Sequence, residues 1–193
     1  MKLSILICSV NTRIDNFLQE IYKQINWQIK DDVEVLCIID NKSMTIGRKR
    51  NLLIDMAKWD YVVFVDDDDR ISHDYIDRLL EWIESWMDVI CFDAKISING
   101  WEYKRVQYSR NHVNWENEHY YTRQPNHLMC WKRDIANKVK YENISYWEDT
   151  ARAKEMISKI TSEHRIDEVL YYYEFNEQTS ESIKYSNTNS ISR

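Results

Sequence analysis

One stretch of this chain limits its possible folds more than any other. Residues 61–65 form a continuous run of β-branched and aromatic side chains, the pattern of a strand covered on both faces. Four consecutive aspartates, residues 66–69, follow directly. Like charges so close together repel one another, and a divalent cation would relieve that repulsion. Carboxylate oxygens suit Mg²⁺, Mn²⁺ or Ca²⁺ better than zinc. The alternative interpretation is a solvated acidic turn, with Ser72 capping the next helix.

Length and composition describe a globular protein. The chain has 193 residues, which suits one domain large enough to bury a core. Hydrophobic residues make up 44% and charged residues 30%, as in soluble proteins. No apolar run reaches the roughly 18 residues of a membrane span, and the first residues do not resemble a secretory signal. We therefore predict a cytoplasmic protein.

Cysteine and histidine spacing argues against a disulfide scaffold or a zinc site. The four cysteines are far apart and form no C-x-x-C pair, so we interpret them as reduced side chains of the core. Three histidines of the second half match neither a helical nor a zinc-binding spacing. These seven residues are Cys8, Cys37, Cys91, Cys130, His112, His119 and His127.

Strand and helix patterns alternate over the first ninety residues. Apolar, β-prone runs cover residues 3–10, 33–39, 61–65 and 89–92. Amphipathic helical spacing between them predicts βαβ units with right-handed crossovers and a largely parallel sheet. Such sheets bind ligands beyond the carboxyl ends of their strands. Asn11, Asp40 and the acidic run all lie at such ends, which predicts a site there.

The second half of the chain is patterned differently. Residues 93–131 lose the alternation and are rich in aromatic side chains, typical of a ligand cleft or of the core of a second, smaller β-layer. A helix is predicted to begin near Glu148 and Asp149, where two acids in the first turn would also favour the helix dipole. Residues 169–175 predict a last strand.

Several short motifs follow one another in a recognisable order. They are Asn11-Thr12-Arg13 after the first strand, Asp40 after the second, G-x-x-R-N at residues 47–51, the acidic run, and the Glu148-Asp149 pair. D-x-D alone is a weak signal, but here it follows a buried strand and precedes E-D by about 80 residues. In combination these motifs resemble the family 2 glycosyltransferases with the GT-A fold, over most of residues 3–182.

The resemblance implies a fold and a division of labour. The fold would be α/β, with a GT-A-like (Rossmann-like), mostly parallel central sheet flanked by helices and a small second β-layer. A single catalytic domain would cover residues 1–182, with nucleotide-sugar binding in residues 1–92 and the acceptor site and catalytic base in residues 93–182. Residues 183–193 would be a polar tail. The reaction would invert the anomeric carbon.

The resemblance also assigns residues to the donor. Ser9, Asn11 and Asp40 would hold the nucleobase, and Arg50 would lie beside the nucleotide. The donor would be a nucleotide sugar, taken as a UDP-sugar.

The resemblance assigns the metal site and the catalytic base to the acidic motifs. Asp66 and Asp68 would contact the ribose and a divalent metal, Mn²⁺ or Mg²⁺, on the diphosphate, with Asp67 as a near alternative. Asp149 would be the catalytic base. Glu148 would orient the loop or bind the acceptor.

Other functions remain open on the sequence. A chain with this fold could bind a nucleotide sugar without turnover, because fold does not fix function. A nucleotidyltransferase would release pyrophosphate, although the chain has no basic Gly-rich loop to hold a triphosphate.

Of the substrates of the predicted reaction, the acceptor is the one that the sequence indicates least. A glycan is the default, and hydroxymethylated bases of viral DNA are the alternative. The net charge of −6 does not indicate DNA binding. Six basic residues would supply either a local basic rim or an ordinary solvated surface: Lys104, Arg105, Arg110, Arg123, Lys132 and Arg133.

Overall fold

A hydrogen-bonded sheet of ten strands runs through residues 2–175, the part of the chain that this computed structural model describes. The strands are β1 (Leu3–Val10), β2 (Val33–Asp40), β3 (Tyr61–Phe64), β4 (Arg70–Ile71), β5 (Val89–Ile98), β6 (Trp101–Tyr108), β7 (Trp115–Glu116), β8 (Tyr120–Arg123), β9 (Cys130–Lys132) and β10 (Glu163–Phe175). The helices are α1 (Gln19–Asn26), α2 (Ile46–Met56), α3 (Tyr75–Ile83), α4 (Arg133–Ala136) and α5 (Glu148–Ile157). A 3₁₀ turn, Asn11–Arg13, and a π-helical turn, Ile14–Leu18, precede α1.

The strand order confirms the predicted α/β class with a mostly parallel centre. The order is β2-β1-β3-β9-β5-β6-β8-β7, and β10 lies beside β5. β1 pairs parallel with β2 and β3, and β10 pairs parallel with β5. Because β9 is antiparallel to both β3 and β5, those two strands point the same way. Their carboxyl ends therefore meet at one edge, where a site was predicted.

Burial follows the patterns in the first half of the sequence. All four residues of β3 are at most 3% exposed, as expected of a strand covered on both faces. In α1, Ile21 and Ile25 are fully buried. In α3, Ile76 and Leu79 are fully buried as well, because apolar side chains three or four residues apart share one helical face. These helices cover the sheet and hold the strand ends in place.

Two local predictions need correction. α3 begins at Tyr75, and Ser72 is not its cap: the Ser72 hydroxyl donates to Asp74 Oδ1 at 2.8 Å. The reason is β4, which pairs with β10 and takes up the residues directly after the acidic run. In addition, β5 extends to Ile98, six residues beyond the predicted end, because Asn99 and Gly100 form a hairpin turn into β6.

The aromatic-rich region extends the central sheet. β6 pairs with β5, β8 pairs with β6, and β7 pairs with β8, so these strands continue the same sheet rather than forming a separate one. Asn99 and Gly100 both have positive φ angles, 53° and 85°, which suits a two-residue hairpin turn. Within residues 2–175, no helix is long and apolar enough to cross a membrane. The predicted tail at residues 183–193 lies outside the described residues.

Candidate active site

A cavity of about 270 Å³ opens at the carboxyl ends of β1 and β3. Side chains from the β1 end, α2, the acidic run, the segment before α5 and the end of β10 surround it. They include Ser9, Arg13, Lys49, Arg50, Asp66, Asp67, Asp68, Ser145, Tyr146, Tyr173 and Glu174. We call it the first cavity. Its walls come from sequence positions more than 160 residues apart, which the parallel sheet brings together.

The first two aspartates of the acidic run pair with different basic side chains. Asp66 accepts from Arg50 Nη2 at 3.1 Å and lies 3.3 Å from His127 Nε2. Asp67 accepts from the Ser9 hydroxyl and from Arg13 Nη1, both at 2.6 Å. These contacts tie the tip of β3 to the end of β1 and to α2.

The last two aspartates have contrasting surroundings. Asp68 accepts from Arg13 Nη2 at 2.6 Å, and its side chain keeps 28% exposure. Asp69 points inward: Tyr171 Oη donates to it at 2.7 Å and the Glu174 N–H at 2.9 Å. Tyr171 Oη also accepts the N–H of Asp66 at 3.0 Å. Asp69 is therefore an anchor of the turn, whereas the other three aspartates line the cavity.

Repulsion among the four carboxylates of the acidic run is reduced by neighbouring basic side chains and by shifts in the pKa values of the aspartates. Burial raises the pKa of Asp67 to about 6, although Arg13 and Ser9 oppose that shift. Burial and the neighbouring carboxylates hold the pKa of Asp69 well above its usual range. For Asp66, burial also acts upward, but Arg50 and His127 outweigh it and depress the pKa. Internal cations and a shifted proton equilibrium thus provide much of the relief that the sequence assigned to a metal.

The G-x-x-R-N motif fixes α2 to the segment before α5. A Cβ at Gly47 would lie 1.8 Å from the carbonyl oxygen of Glu142, so any side chain there would clash. The Gly47 N–H donates to the Ile144 carbonyl at 3.0 Å. The Asn51 amide donates to the Tyr141 carbonyl and accepts the Tyr141 N–H, both at 2.9 Å. Gly47 and Asn51 therefore allow α2 to pack closely against the segment before α5.

The arginine of the same motif joins both acidic motifs. Arg50 is only 4% exposed; its Nη2 contacts Asp66 at 3.1 Å and its Nε contacts Glu148 at 3.3 Å. Its guanidinium also lies over the Phe64 ring at 4.7 Å. Among residues 2–175, Arg50 Nη1 has no hydrogen-bond partner. Because Arg50 lines the first cavity, this buried N–H group can serve a bound anion.

Of the residues predicted to hold the nucleobase, only Ser9 lines the first cavity. Asp40 pairs with Lys49 and also accepts from the N–H groups of Lys42 and Met44. Burial acts against these partners, yet they lower the pKa of Asp40 to about 2. Asp40 could contact a nucleobase only if it gave up some of these hydrogen bonds. Asn11 is exposed in the 3₁₀ turn, outside the described lining of the cavity.

Glu148 and Asp149 begin α5 and face different ways. Glu148 is 5% exposed and is turned towards Arg50; burial raises its pKa. Asp149 keeps 29% side-chain exposure and lines a second cavity of about 450 Å³. Burial acts upward on Asp149, but the nearby His127 ring lowers its pKa to about 2. Trp147, just before α5, has a left-handed φ of 68°, which sets the angle at which the helix starts.

His127 was missed as a site residue. Its Nε2 lies 3.3 Å from Asp66, and its Nδ1 lies 3.2 Å from Asp149 Oδ2, at ion-pair distance but without hydrogen-bond geometry. Burial and Arg50 lower the pKa of His127, yet the two carboxylates outweigh them and raise it. No spacing rule signals a contact between positions 61 residues apart. Two further residues were named only inside motifs: Arg13 and Lys49.

The second cavity is polar but carries little unbalanced charge. Its walls come from β6, β7 and the residue before it, β8 and the loop after it, and α5. They include Tyr108, Asn114, Glu116, Tyr121, Arg123, Gln124, Asn126, Asp149, Thr150 and Lys154. Arg123 pairs with Glu116 at 3.3 Å and lies over the Tyr121 ring at 4.8 Å. Arg105, also assigned to a basic rim, pairs with Asp93 and Asp167. Carboxylates therefore neutralise two of the six basic residues.

The fit of the site to a divalent metal can be judged from its carboxylates. Within residues 2–175, no three His, Cys, Asp or Glu side chains are grouped so that they could hold a metal ion. Mg²⁺, however, is commonly held by one or two carboxylates together with substrate phosphates. Asp68, partly exposed at the cavity, and Asp66 fit such a site, which the donor's phosphates would complete.

Comparisons with solved structures support the fold. Residues 1–349 of S. aureus TarS in complex with UDP match with a TM-score of 0.70 and 16% identity, over 92% of this chain and 62% of that one. The UDP-GlcNAc complex gives 0.65 and 13%, over 90% and 58%. A197 from STIV gives 0.52 and 14%, over 90% and 85%. This chain spans less than two thirds of those TarS chains, and at such identities the likeness shows the fold alone.

A comparison of sequences gives the family. No functionally curated protein matches this chain. The family model described as glycosyl transferase family 2 matches residues 43–141, just over half of the chain. The matched part includes the G-x-x-R-N motif, the acidic run and His127. The chain therefore belongs to glycosyl transferase family 2.

Proposed function

We propose that this chain transfers a sugar from a nucleotide-sugar donor to an acceptor hydroxyl, with inversion at the anomeric carbon. The observation that carries the proposal is the position of Asp149. This carboxylate lines the second cavity and lies 3.2 Å from His127, whose other nitrogen contacts Asp66 in the wall of the first cavity. A base in the wall of an acceptor cavity, linked through one residue to the wall of a donor cavity, suits direct transfer.

The first cavity suits a nucleoside diphosphate. Four basic residues line it: Arg13, Lys42, Lys49 and Arg50. The Nη1 group of Arg50, without a partner among the described residues, would donate to a phosphate oxygen. The similar TarS structures were solved with UDP and with UDP-GlcNAc, which favours a UDP-sugar as the donor. Ser9 and Asp67 would then contact the nucleoside.

Charge at the departing diphosphate would be balanced by this chain's cations and by a metal. Asp68, with Asp66, would hold Mn²⁺ or Mg²⁺, which when bound supplies positive charge at the phosphate oxygens. Arg50 would supply a fixed positive charge beside them, because Asp66 and Glu148 hold its guanidinium in place. Both contributions grow in value as negative charge develops on the leaving group.

Asp149 would act as the base. The acceptor oxygen attacks the anomeric carbon, the bond from that carbon to the diphosphate oxygen breaks, and the hydroxyl proton passes to a carboxylate oxygen of Asp149. Attack from the face opposite the diphosphate inverts the configuration. Glu148 is turned towards Arg50, so its proposed role is to hold that cation.

The second cavity suits an uncharged, hydroxyl-rich acceptor such as a glycan. Amide groups of Asn114 and Gln124 and the ring of Tyr121 line it, and such groups offer hydrogen bonds and stacking to sugars. Arg123 is paired with Glu116. A DNA acceptor would call for several unpaired cations along a backbone path. We therefore favour a glycan over hydroxymethylated DNA.

A transfer assay tests the proposal. Purified protein is incubated with a panel of nucleotide sugars and simple glycan acceptors, with Mn²⁺ or with excess EDTA, and products are identified by mass spectrometry. We expect a glycosylated acceptor and a nucleoside diphosphate, both metal-dependent. Donor binding without turnover would instead support a non-catalytic binding protein. Release of pyrophosphate from a nucleoside triphosphate would support a nucleotidyltransferase, and glycosylation of hydroxymethylated DNA alone would overturn the glycan assignment.

A further inference from the structure

The ring of His127 is held by a well-anchored segment. Asn126, just before it, accepts the Leu128 N–H with its side chain at 3.0 Å and the Trp131 indole N–H with its carbonyl at 2.8 Å. Trp131 is 2% exposed and belongs to β9 in the middle of the sheet. The His127 side chain itself is 11% exposed. A ring held in this way can fix the position of whatever it contacts.

The two contacts of His127 join the end of β3 to the first turn of α5, two elements that Arg50 also links through Asp66 and Glu148. Asp66 follows β3, and Asp149 stands in the first turn of α5. Nε2 faces the Asp66 carboxylate at 3.3 Å and Nδ1 faces the Asp149 carboxylate at 3.2 Å, so the ring lies between the two carboxylates. On the other side of Asp149, Oδ1 accepts a long bond from the Thr150 hydroxyl, at 3.4 Å. His127 is therefore the closest described group that sets the orientation of the Asp149 carboxylate.

We propose that His127 is a positioning residue for the transfer step, which holds the Asp149 carboxylate in line with the donor site by way of Asp66. The inference rests on the proposed function, since Asp149 matters as a base only if transfer occurs. A displacement of about 1 Å at a reacting group can cost about 10²-fold in rate, so a residue that only orients the base can still control turnover.

Two conservative variants separate the two contacts. In His127→Asn the amide nitrogen stands near the position of Nδ1, which faces Asp149; in His127→Gln it stands near the position of Nε2, which faces Asp66. We expect His127→Gln to lower kcat by about 10–100-fold, as outer-shell substitutions commonly do. His127→Asn should retain more turnover, and both should keep donor Kd within about threefold because the donor cations remain. The matched control is His73→Gln, at a side chain that is 95% exposed.

A double-mutant cycle with Asp149→Asn decides the matter. If His127 acts through Asp149, the substitution His127→Gln should change kcat little once Asp149→Asn is present. Full additivity of the two losses would overturn the inference, and so would equal turnover of the Asn and Gln variants. If the Gln variant does not fold, His127→Asn enters the same cycle. A wild-type chain that transfers no sugar would overturn the proposed function itself, which is a separate result.

Discussion

The first and second cavities lie on either side of Asp66, His127 and Asp149, but different sets of side chains line them. The first cavity, at the ends of parallel strands, is lined by acids and bases that already pair with one another, such as Asp67 with Arg13. The second, on the β-rich extension of the sheet, is lined by amides, hydroxyls and rings together with four charged side chains: Glu116, Arg123, Asp149 and Lys154. Under the proposed function, the first cavity would bind the charged donor and the second the acceptor, so substitutions should affect one substrate at a time.

The largest effect should come from Asp149, the carboxylate in the wall of the second cavity that faces His127. Asp149→Asn keeps the size of the side chain and removes its basicity, so turnover should fall by about 10²–10⁴-fold. Donor affinity, measured by calorimetry, should stay nearly unchanged because the first cavity is intact. If the acids served only the helix dipole, the variant would remain active and lose about 0.3–1 kcal/mol of stability.

The control for that variant is Asp134→Asn, at an exposed aspartate of α4. It makes the same chemical change in a first helical turn away from both cavities, so it should leave turnover as in the wild type and lose at most about 0.3–1 kcal/mol of stability. An active Asp149→Asn protein would remove the base from the proposed mechanism.

Next in size is the effect of Asp68, the partly exposed aspartate of the acidic run. Asp68→Ala removes a predicted metal ligand, and charge-assisted contacts are worth about 1.5–3 kcal/mol. Donor affinity in Mn²⁺ should therefore fall by about 10–100-fold, towards the value measured in EDTA. Acceptor KM should change little, because the second cavity is untouched. Identical donor affinity with and without metal in the wild type would refute the metal assignment.

A smaller effect, on stability, is expected at the contact between α2 and the segment before α5, beside the first cavity. Gly47→Ala places a methyl group against the Glu142 carbonyl, and such overpacking costs about 1–3 kcal/mol. For a chain of this length, each kcal/mol lowers the melting temperature by about 2–4 °C. Gly100→Asn is the control, since that position has open space and a φ that asparagine tolerates. An unchanged melting temperature would mean that α2 and the loop are not in close contact.

The smallest effect should be confined to the acceptor. Gln124→Ala removes one amide from the second cavity, and a neutral hydrogen bond contributes about 0.5–1.5 kcal/mol. Acceptor KM should thus rise by about 2–10-fold with donor Kd unchanged. Gln19→Ala, at an exposed glutamine of α1, is the matched control. A change in donor Kd would show that the two cavities are not independent.

The sequence predicts the parts of this molecule that depend on local pattern. Alternating strands and helices identify β1, β2, β3 and their helices, and the strand ends locate the first cavity. Pairings between distant residues could not be predicted, because a single sequence does not show which partners meet. Thus Asp40, which was expected to bind the nucleobase, pairs with Lys49 instead. No sequence pattern indicated that His127 would contact Asp66. The predicted division at residue 92 and the cytoplasmic location stay predictions.

The hydrogen bonds of Tyr171 have a consequence for how the protein is made. Tyr171 and the Glu174 N–H hold the buried carboxylate of Asp69, and Tyr171 lies 102 residues after it. At typical synthesis rates of about 5–20 residues per second, the acidic run leaves the ribosome about 5–20 s before this strand. A nascent first half therefore carries an unsupported carboxylate where the finished protein has a closed turn. The turn after β3 is thus completed only when nearly all of the described chain has been synthesised.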